Sequence, residues 1–538
     1  MASSNTQTLP LGYIWAPGTV VLKDRDTTKV NLYPIPTSDP DDPLNWSSKR
    51  KFINYGIVCS FVLWTFVVLD VGYTAWGPMI DQLGFSVWLL NAAAATNYAG
   101  LAVGCIFFMP FVHRYGRRPL YIFSCAVQLA GCIWQARVVT NGDIIGSNLL
   151  GGLGGAICET VVQISIADIF FVHQHATMNS WYLLLTSVGA FLGPVASGYV
   201  VDAQGWRWMW WWCVIFVGIQ FIATIFLYEE SKFVPQRDVL VAQSTINHKT
   251  PNAKEPANDL NAVESEQEHS GNVTERHVDP NIKPKSYRQR MALYTPTNAP
   301  ILQHIYQPVS VLTTFPAVAY SALTFGTVLA CFAILITVNA IYLLEPPYNF
   351  SASGVGLFNL PPFIGCFIGF FVGGWLNDKS IMWLARRNQG IYEPEQRLYM
   401  ALPTSLFVPA GVLIFGIGIA NGAHWIVLAV GLVLFGFGFI VCLDISLAYC
   451  TDCYQDIIGD ALVGVVFTRN AISVVILFVL QYWLDGMGVR NVHILVACVM
   501  LVILLLPAVL LKFGKQARIR TQERYRSMAR KQPTYRTF

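Results

Sequence analysis

A few ionisable residues stand inside stretches where a charge is expensive. Glu159 lies deep in the apolar run 143–167, Asp70 toward the end of 52–75, and Arg469 in the first half of 460–483; Asp444 and Asp168 lie close to the ends of their runs. A charge at mid-bilayer costs at least about 2.5–3.5 kcal/mol on insertion scales, so such residues face an aqueous path or pair with one another. The chemistry open to them is reversible ion binding. A carboxyl at the depth of Glu159 can hold a proton when empty and surrender it when a cation arrives, so that competition for one group links two fluxes. The alternative is a carboxyl bonded to a neighbouring helix for structure. Asp70 belongs either to the same cavity or to the outer interface. Arg469 needs a partner, and an ion pair with Asp444 or Asp452 is the first reading; a proton relay or anion-binding arginine is the second. Neutral or anionic substrates would need another scheme.

Polar and aromatic side chains on the same runs extend the candidate cavity: Asn97 and Tyr98, Gln163, Asn339 and Tyr342, and Tyr449, with Trp64 and Trp76 able to offer ring faces to a cation. Trp206, Trp208, Trp210, Trp211 and Trp212 cluster at one span end and read as an interfacial belt. No metal or other cofactor is expected. His173 and His175 are two apart, not the four that a helical ligand pair needs, and Cys450 and Cys453 lack a second ligand pair. Phosphate-binding loops, nucleophile motifs and dinucleotide fingerprints are missing from the sequence, which argues against an ATP-driven pump and against an enzyme.

Twelve apolar stretches must position these residues, near 52–75, 87–111, 119–137, 143–167, 177–201, 207–228, 314–344, 354–376, 400–420, 424–448, 460–483 and 491–513. A hydrocarbon core about 30 Å thick takes about 20 helical residues to cross. Only helices or closed barrels satisfy their backbone groups there. The expected fold is all-α, a membrane protein with twelve transmembrane helices in two pseudo-symmetric six-helix bundles. Hydrophobic residues make up 54% of the chain and charged residues 12%, about half the charge of a soluble domain. A net charge of +4 with no basic stripe gives no reason to expect nucleic acid.

The expected organisation is a cytoplasmic tail (1–51), a first bundle (52–228), a linker (229–313), a second bundle (314–513) and a basic tail (514–538). Stretches such as 252–259 and 264–268 are polar and poor in aromatics, so the linker is expected to be mostly disordered. The first fifty residues lack the apolar core of a cleaved signal. Lys and Arg gather at 49–51, 114–118, 379–397 and beyond 512, which places both termini in the cytoplasm. The sequons at Asn45 and Asn272 then stay unmodified, and Asn349 is the glycosylation candidate outside.

The two halves echo each other. Met109-Pro-Phe-Val-His113-Arg114-Tyr-Gly116-Arg117-Arg118 follows the second span, and Gly374-Trp-Leu-Asn-Asp378-Lys379 follows the eighth. In these residues the chain resembles a fungal member of the major facilitator superfamily over nearly its whole length. The resemblance implies parallel six-helix repeats around a midplane site, with Gly116, Arg117, Arg118 and Asp378 in a gating hinge. The match departs from the family pattern at Met109, where a Gly is usual, and at His113, where an Asp is usual. In span 5, Gly189-Ala-Phe-Leu-Gly193-Pro194-Val-Ala-Ser197-Gly198 is similar to the pattern of drug:proton antiporters, with Ser197 replacing a Gly; the alternative is close helix packing alone. Asp39–Lys49 is similar to the entry segment of fungal twelve-span transporters. Gly155–His173 looks like the branch holding polyamine and monovalent-cation permeases, which also contains exporters associated with secondary metabolism. Asn148 stands where drug antiporters often carry an Arg. The resemblance implies proton-coupled export of a small organic compound by alternating access, from a monomer in the plasma membrane. Import of organic cations such as polyamines is the alternative, and a non-transporting nutrient sensor a third.

Overall fold

The computed structural model describes residues 16–21, 36–233, 285–293, 295, 303–388 and 391–530. Ten helical stretches long and apolar enough to cross a membrane run in order: spans 1 (Ser48–Leu83), 2 (Val87–Tyr115), 3 (Arg118–Ala136), 4 (Asn141–Ile169), 5 (Thr177–Gln204), 6 (Trp206–Leu227), 7 (Pro316–Tyr342), 8 (Ala352–Arg387), 9 (Pro394–Ala420) and 10 (Trp425–Cys453). The remaining stretch, Ile458–Ala529, is two helices, because Gly488 adopts φ 75 and ψ 157 and breaks it. Spans 11 and 12 are therefore 458–487 and 489–529, which makes twelve spans among the described residues. Polar residues start several of them. The Ser47 and Ser86 hydroxyls accept from the backbone N–H three residues on, and Thr140 with Asp143 closes a capping box. Each satisfies donors that a helix leaves free at its start.

Close backbone contacts repeat between the halves. A Cβ built on Gly152 of span 4 would lie 2.0 Å from the Asn97 carbonyl oxygen of span 2, and one on Gly436 of span 10 would lie 2.1 Å from the Pro362 carbonyl oxygen of span 8. Spans 2 and 4 thus meet as spans 8 and 10 do. Backbone cannot retreat as a flexible side chain can, so Gly152→Val forces these helices apart. It is expected to cost about 1–3 kcal/mol or more, read as a lower melting midpoint in detergent. Gly374→Ala, where nothing lies within 4 Å of the added Cβ, should melt with the wild type. Equal midpoints for all three proteins would contradict this packing.

Beyond the spans, Gln303–Thr314 is a helix leading into span 7, and Tyr287–Arg290 is a helical turn docked on the first half. The end of the expected linker is therefore ordered; its polar middle and the Asn272 sequon lie outside the described residues. Span 12 continues as helix to Ala529, well past the apolar run. The exposed Asn349, with φ 47, follows span 7. His173 and His175 fall on the first turn of the helix Val172–Ser187, not in a loop, and their side chains lie outside the description.

Candidate functional site

Between the halves lies a cavity of about 150 Å³, walled by spans 1 to 6 on one side and by spans 7, 10 and 11 on the other. Asp70, Glu159, Arg469, Asn97 and Gln163, scattered in sequence, all line it. Asp70 ends the regular part of span 1, just before the 3-10 turn Val71–Ala75. Its residue is 5% exposed, and among the described residues no hydrogen bond or ion pair reaches its carboxylate. Tyr73, Trp76, Tyr98 and Trp210 form the wall around it. A carboxyl so placed is costly in its ionised form unless a charge or a proton is brought to it.

Glu159 is placed differently. Its Oε1 is paired with Arg469 Nη2, and its Oε2 accepts from Asn470 Nδ2 at 2.8 Å. Glu159 belongs to the first half and Arg469 to the second, so the pair joins the halves through the cavity floor. This corrects the expected pairing of Arg469. Asp452 is bound to Arg397 instead, at 2.5 Å, and Asp444 packs beside Gly373 of span 8. Asp452 lies one residue from the end of its helix, and Asp444, though at the depth of Arg469, lies against span 8.

Two further expectations fail. Asn339 and Tyr342 do not line the cavity, whose span 7 wall is Phe325, Leu329 and Phe332. Asn339 is seven residues beyond Phe332, about 10 Å along a helix. Tyr449 is likewise away from it, and Trp64 stacks on Phe216 outside it with centroids 4.3 Å apart. Conversely, Trp210, read as part of an interfacial belt, faces the cavity, although Trp208 and Trp212 are exposed. Sequence reasoning also missed Asn470 and a ring cluster across the halves, in which Phe191 lies 5.4 Å from Phe332 and 6.3 Å from Phe439. Asn470 had a signal: it is a polar residue next to a buried arginine in an apolar span.

The span 5 residues serve contact with two partners. Gly189 and Gly193 face span 1, and the π-helical turn Val188–Leu192 accommodates Pro194. Further along, a Cβ on Gly198 would lie 2.6 Å from the Ala352 carbonyl oxygen, and one on Gly356 would lie 2.5 Å from that of Pro194. Spans 5 and 8 thus close the halves together on the side opposite the termini. Asp202 reinforces the contact by accepting from Ser353 N at 2.9 Å.

On the terminus-bearing side, Gly116 takes φ 110, and a Cβ there would strike the Glu230 carboxylate. That carboxylate accepts from the backbone N–H of Arg117 and of Arg118 at 3.0 and 3.1 Å. Glu230 therefore supplies an acid to this turn, which sequence reading missed because it lies beyond span 6. Arg117 is paired with Asp168 at 2.8 Å. Arg118 donates to the carbonyls of Tyr228 (2.9 Å), Ile225 (2.7 Å), Ala292 (3.3 Å) and Met291. Burial, and then Arg117 beside it, pushes the Lys232 ammonium down to about 8. At neutral pH it still carries the charge that holds the carbonyls of His113, Arg114 and Thr295. Asp378 lies in the helix Asn377–Arg387, but its side chain lies outside the description.

Fold and site define a multi-pass membrane protein that encloses a small, charged chamber between two helical halves. The Major Facilitator Superfamily profile matches residues 54–476. The chain belongs to that superfamily: it is a secondary transporter, not an enzyme. Similar proteins include the uncharacterised MFS-type transporter C1271.10c of Schizosaccharomyces pombe, 31% identical over 94% of this chain and 90% of its own length. Protein HOL1 of Saccharomyces cerevisiae is 31% identical over 93% and 92%, and efflux pump radE of Floropilus chiversii 24% over 89% and 83%. Among solved structures, the proton:xylose symporter XylE shares the fold with a TM-score of 0.54 at 12% identity, over 86% of this chain and 96% of that one.

Proposed function

We propose that the protein is a proton-coupled transporter that takes a small organic cation at Asp70. The observation that carries this reading is the Asp70 carboxyl, buried in an aromatic-walled cavity with no ion-pair partner among the described residues, while Glu159 is already paired with Arg469. Substrate and proton compete for Asp70, and the Glu159–Arg469 pair answers to which of them is bound. The span 4 resemblance to polyamine and monovalent-cation permeases supports the same substrate class. Basic residues concentrate on the face that carries both termini, which supports a cytoplasmic location for that face and puts Asp70, at the far end of the regular part of span 1, nearer the outside. An inside-negative potential contributes about 2.3 kcal/mol per charge per 100 mV toward cation entry. Uptake across the plasma membrane is therefore the favoured direction, by a monomer.

A second reading, export of a drug-like or secondary metabolite, is supported by the span 5 pattern and by similarity to a protein named as an efflux pump. Radiolabelled spermidine separates the two. Liposomes carrying the full chain, acidic outside, are expected to accumulate it at least tenfold over protein-free liposomes, and a protonophore should abolish the difference. Accumulation no greater than the protein-free leak would refute the cation reading. Cells lacking the protein that keep polyamine uptake but stop secreting a metabolite would establish export instead.

A further inference from the structure

The N-terminal segment 16–21 lies on the second half, far in sequence from anything it touches. Val20 and Val21 pair antiparallel with Tyr392 and Ile391, between spans 8 and 9. The Pro17 carbonyl accepts from Arg518 of span 12. Gly18, with φ +83, packs so closely on the end of span 10 that a Cβ would lie 2.2 Å from the Asp452 carbonyl oxygen. One short strand thus touches three elements of the second half at once. They are the elements that carry its ion-pair cluster: Arg518 with Glu395 at 2.5 and 2.9 Å, Arg397 with Asp452 at 2.5 Å, and Lys515 with Glu393 at 2.6 Å. Arg518 is 1% exposed with this segment in place.

The chain then returns to the first half. Residues 36–46 are fixed there by Lys51, whose Nζ donates to the carbonyls of Leu44 at 3.1 Å and Ile169 at 2.7 Å. A corresponding cap sits on the first half's own cluster, where Arg118 donates to the carbonyls of Met291 and Ala292. In both halves an arginine of the terminus-bearing face is completed by backbone from outside the spans. The first-half cap is continuous with the neighbouring linker. The second-half cap comes from the other end of the chain and is held by two residue pairs and one guanidinium, few enough contacts to release reversibly.

We infer that residues 16–21 form a displaceable strap that holds the second half's ion-pair cluster in its closed arrangement and slows opening of the cavity toward the terminus-bearing side. Strap docked, the ends of spans 10 and 12 and the segment before span 9 move as one body. Strap released, Arg518 loses an acceptor, and the cluster rearranges at lower cost as the halves part. The inference depends on neither the substrate nor the direction of transport.

Two measurements test it, both on the full chain in native membranes and without any substrate. Antiparallel partners lie about 4.5–5.5 Å apart at Cα, within disulfide range, so Val21→Cys with Ile391→Cys should oxidise to an intramolecular disulfide. Failure to form it overturns docking. For gating, Leu462→Cys on the cavity wall reports access by an impermeant maleimide applied from the terminus-bearing side. Gly18→Val, and separately deletion of residues 2–21, should each raise its labelling rate at least threefold over the same reporter with an intact strap. An unchanged rate in both overturns the strap's role. Loss of the matching increase on adding back a peptide of residues 12–25 supports it, since a misfolded protein would not respond.

Discussion

Asp70→Asn is expected to reduce spermidine transport at least a hundredfold while leaving the melting midpoint unchanged or higher. The two halves of this expectation have one cause. Asp70 is a buried carboxyl with no hydrogen bond or ion pair among the described residues, so in the empty protein it must take up a proton or bear an unpaired charge, and Asn does without either. When a cation binds, the same group becomes the partner of a charge taken out of water. Truncating one member of a buried charge pair costs about 3–5 kcal/mol, and about 2.7 kcal/mol is already a hundredfold. Asn keeps the shape and a carbonyl dipole but cannot neutralise an ammonium. Asp70→Glu, which keeps the charge but moves it, should recover part of the activity. Measured side by side, loss of transport with loss of stability would mark Asp70 as structural. Wild-type transport by Asp70→Asn would remove it from the site altogether.

Much of the architecture was legible, because spans announce themselves by composition over about twenty residues and need no knowledge of their neighbours. Gly488 is the instructive exception within the spans: one residue of backbone separates spans 11 and 12, although the apolar runs on either side were distinct in the sequence. The charges were legible as individuals and not as pairs. Glu159 and Arg469 each stood out as costly in a membrane, yet they lie 310 residues apart, and no local pattern joins them. Asp452 looked like a partner for Arg469 by position in the chain, but tertiary packing brings Arg397 to it. Asn339 shows the complementary error. It is polar and in an apolar span, but depth along the helix decides whether a residue reaches the cavity, and Asn339 lies too far along span 7. Glu230 and residues 16–21 were illegible for a third reason. One is a single acid outside the spans and the other a strand of two residues, too short to leave a periodic signal, and both acquire their roles only from what the fold sets beside them.

The largest effect on stability is expected from Arg469→Met. Arg469 is 13% exposed at its side chain and Glu159 3%, so the substitution leaves a carboxylate in the floor of the cavity with Asn470 as its remaining bonded partner. Breaking a buried pair in this way costs about 3–5 kcal/mol, less whatever is recovered when Glu159 takes up a proton. Glu159→Gln should also destabilise, since it strands a guanidinium whose Nε already has no hydrogen-bond partner among the described residues. The double variant removes both charges and should regain at least half of the loss, because no charge is left to desolvate and Asn470 can still bond the Gln amide. That non-additivity, read from melting midpoints of the four proteins in one detergent, measures the coupling directly. Additive losses would mean that the two residues do not interact. Because the pair joins the halves and not two helices of one half, the double variant should also differ from the wild type in transport even where most of its stability is regained. A transporter whose halves must part needs a contact there that can be broken, and a pair that protonation of Glu159 would dissolve is such a contact.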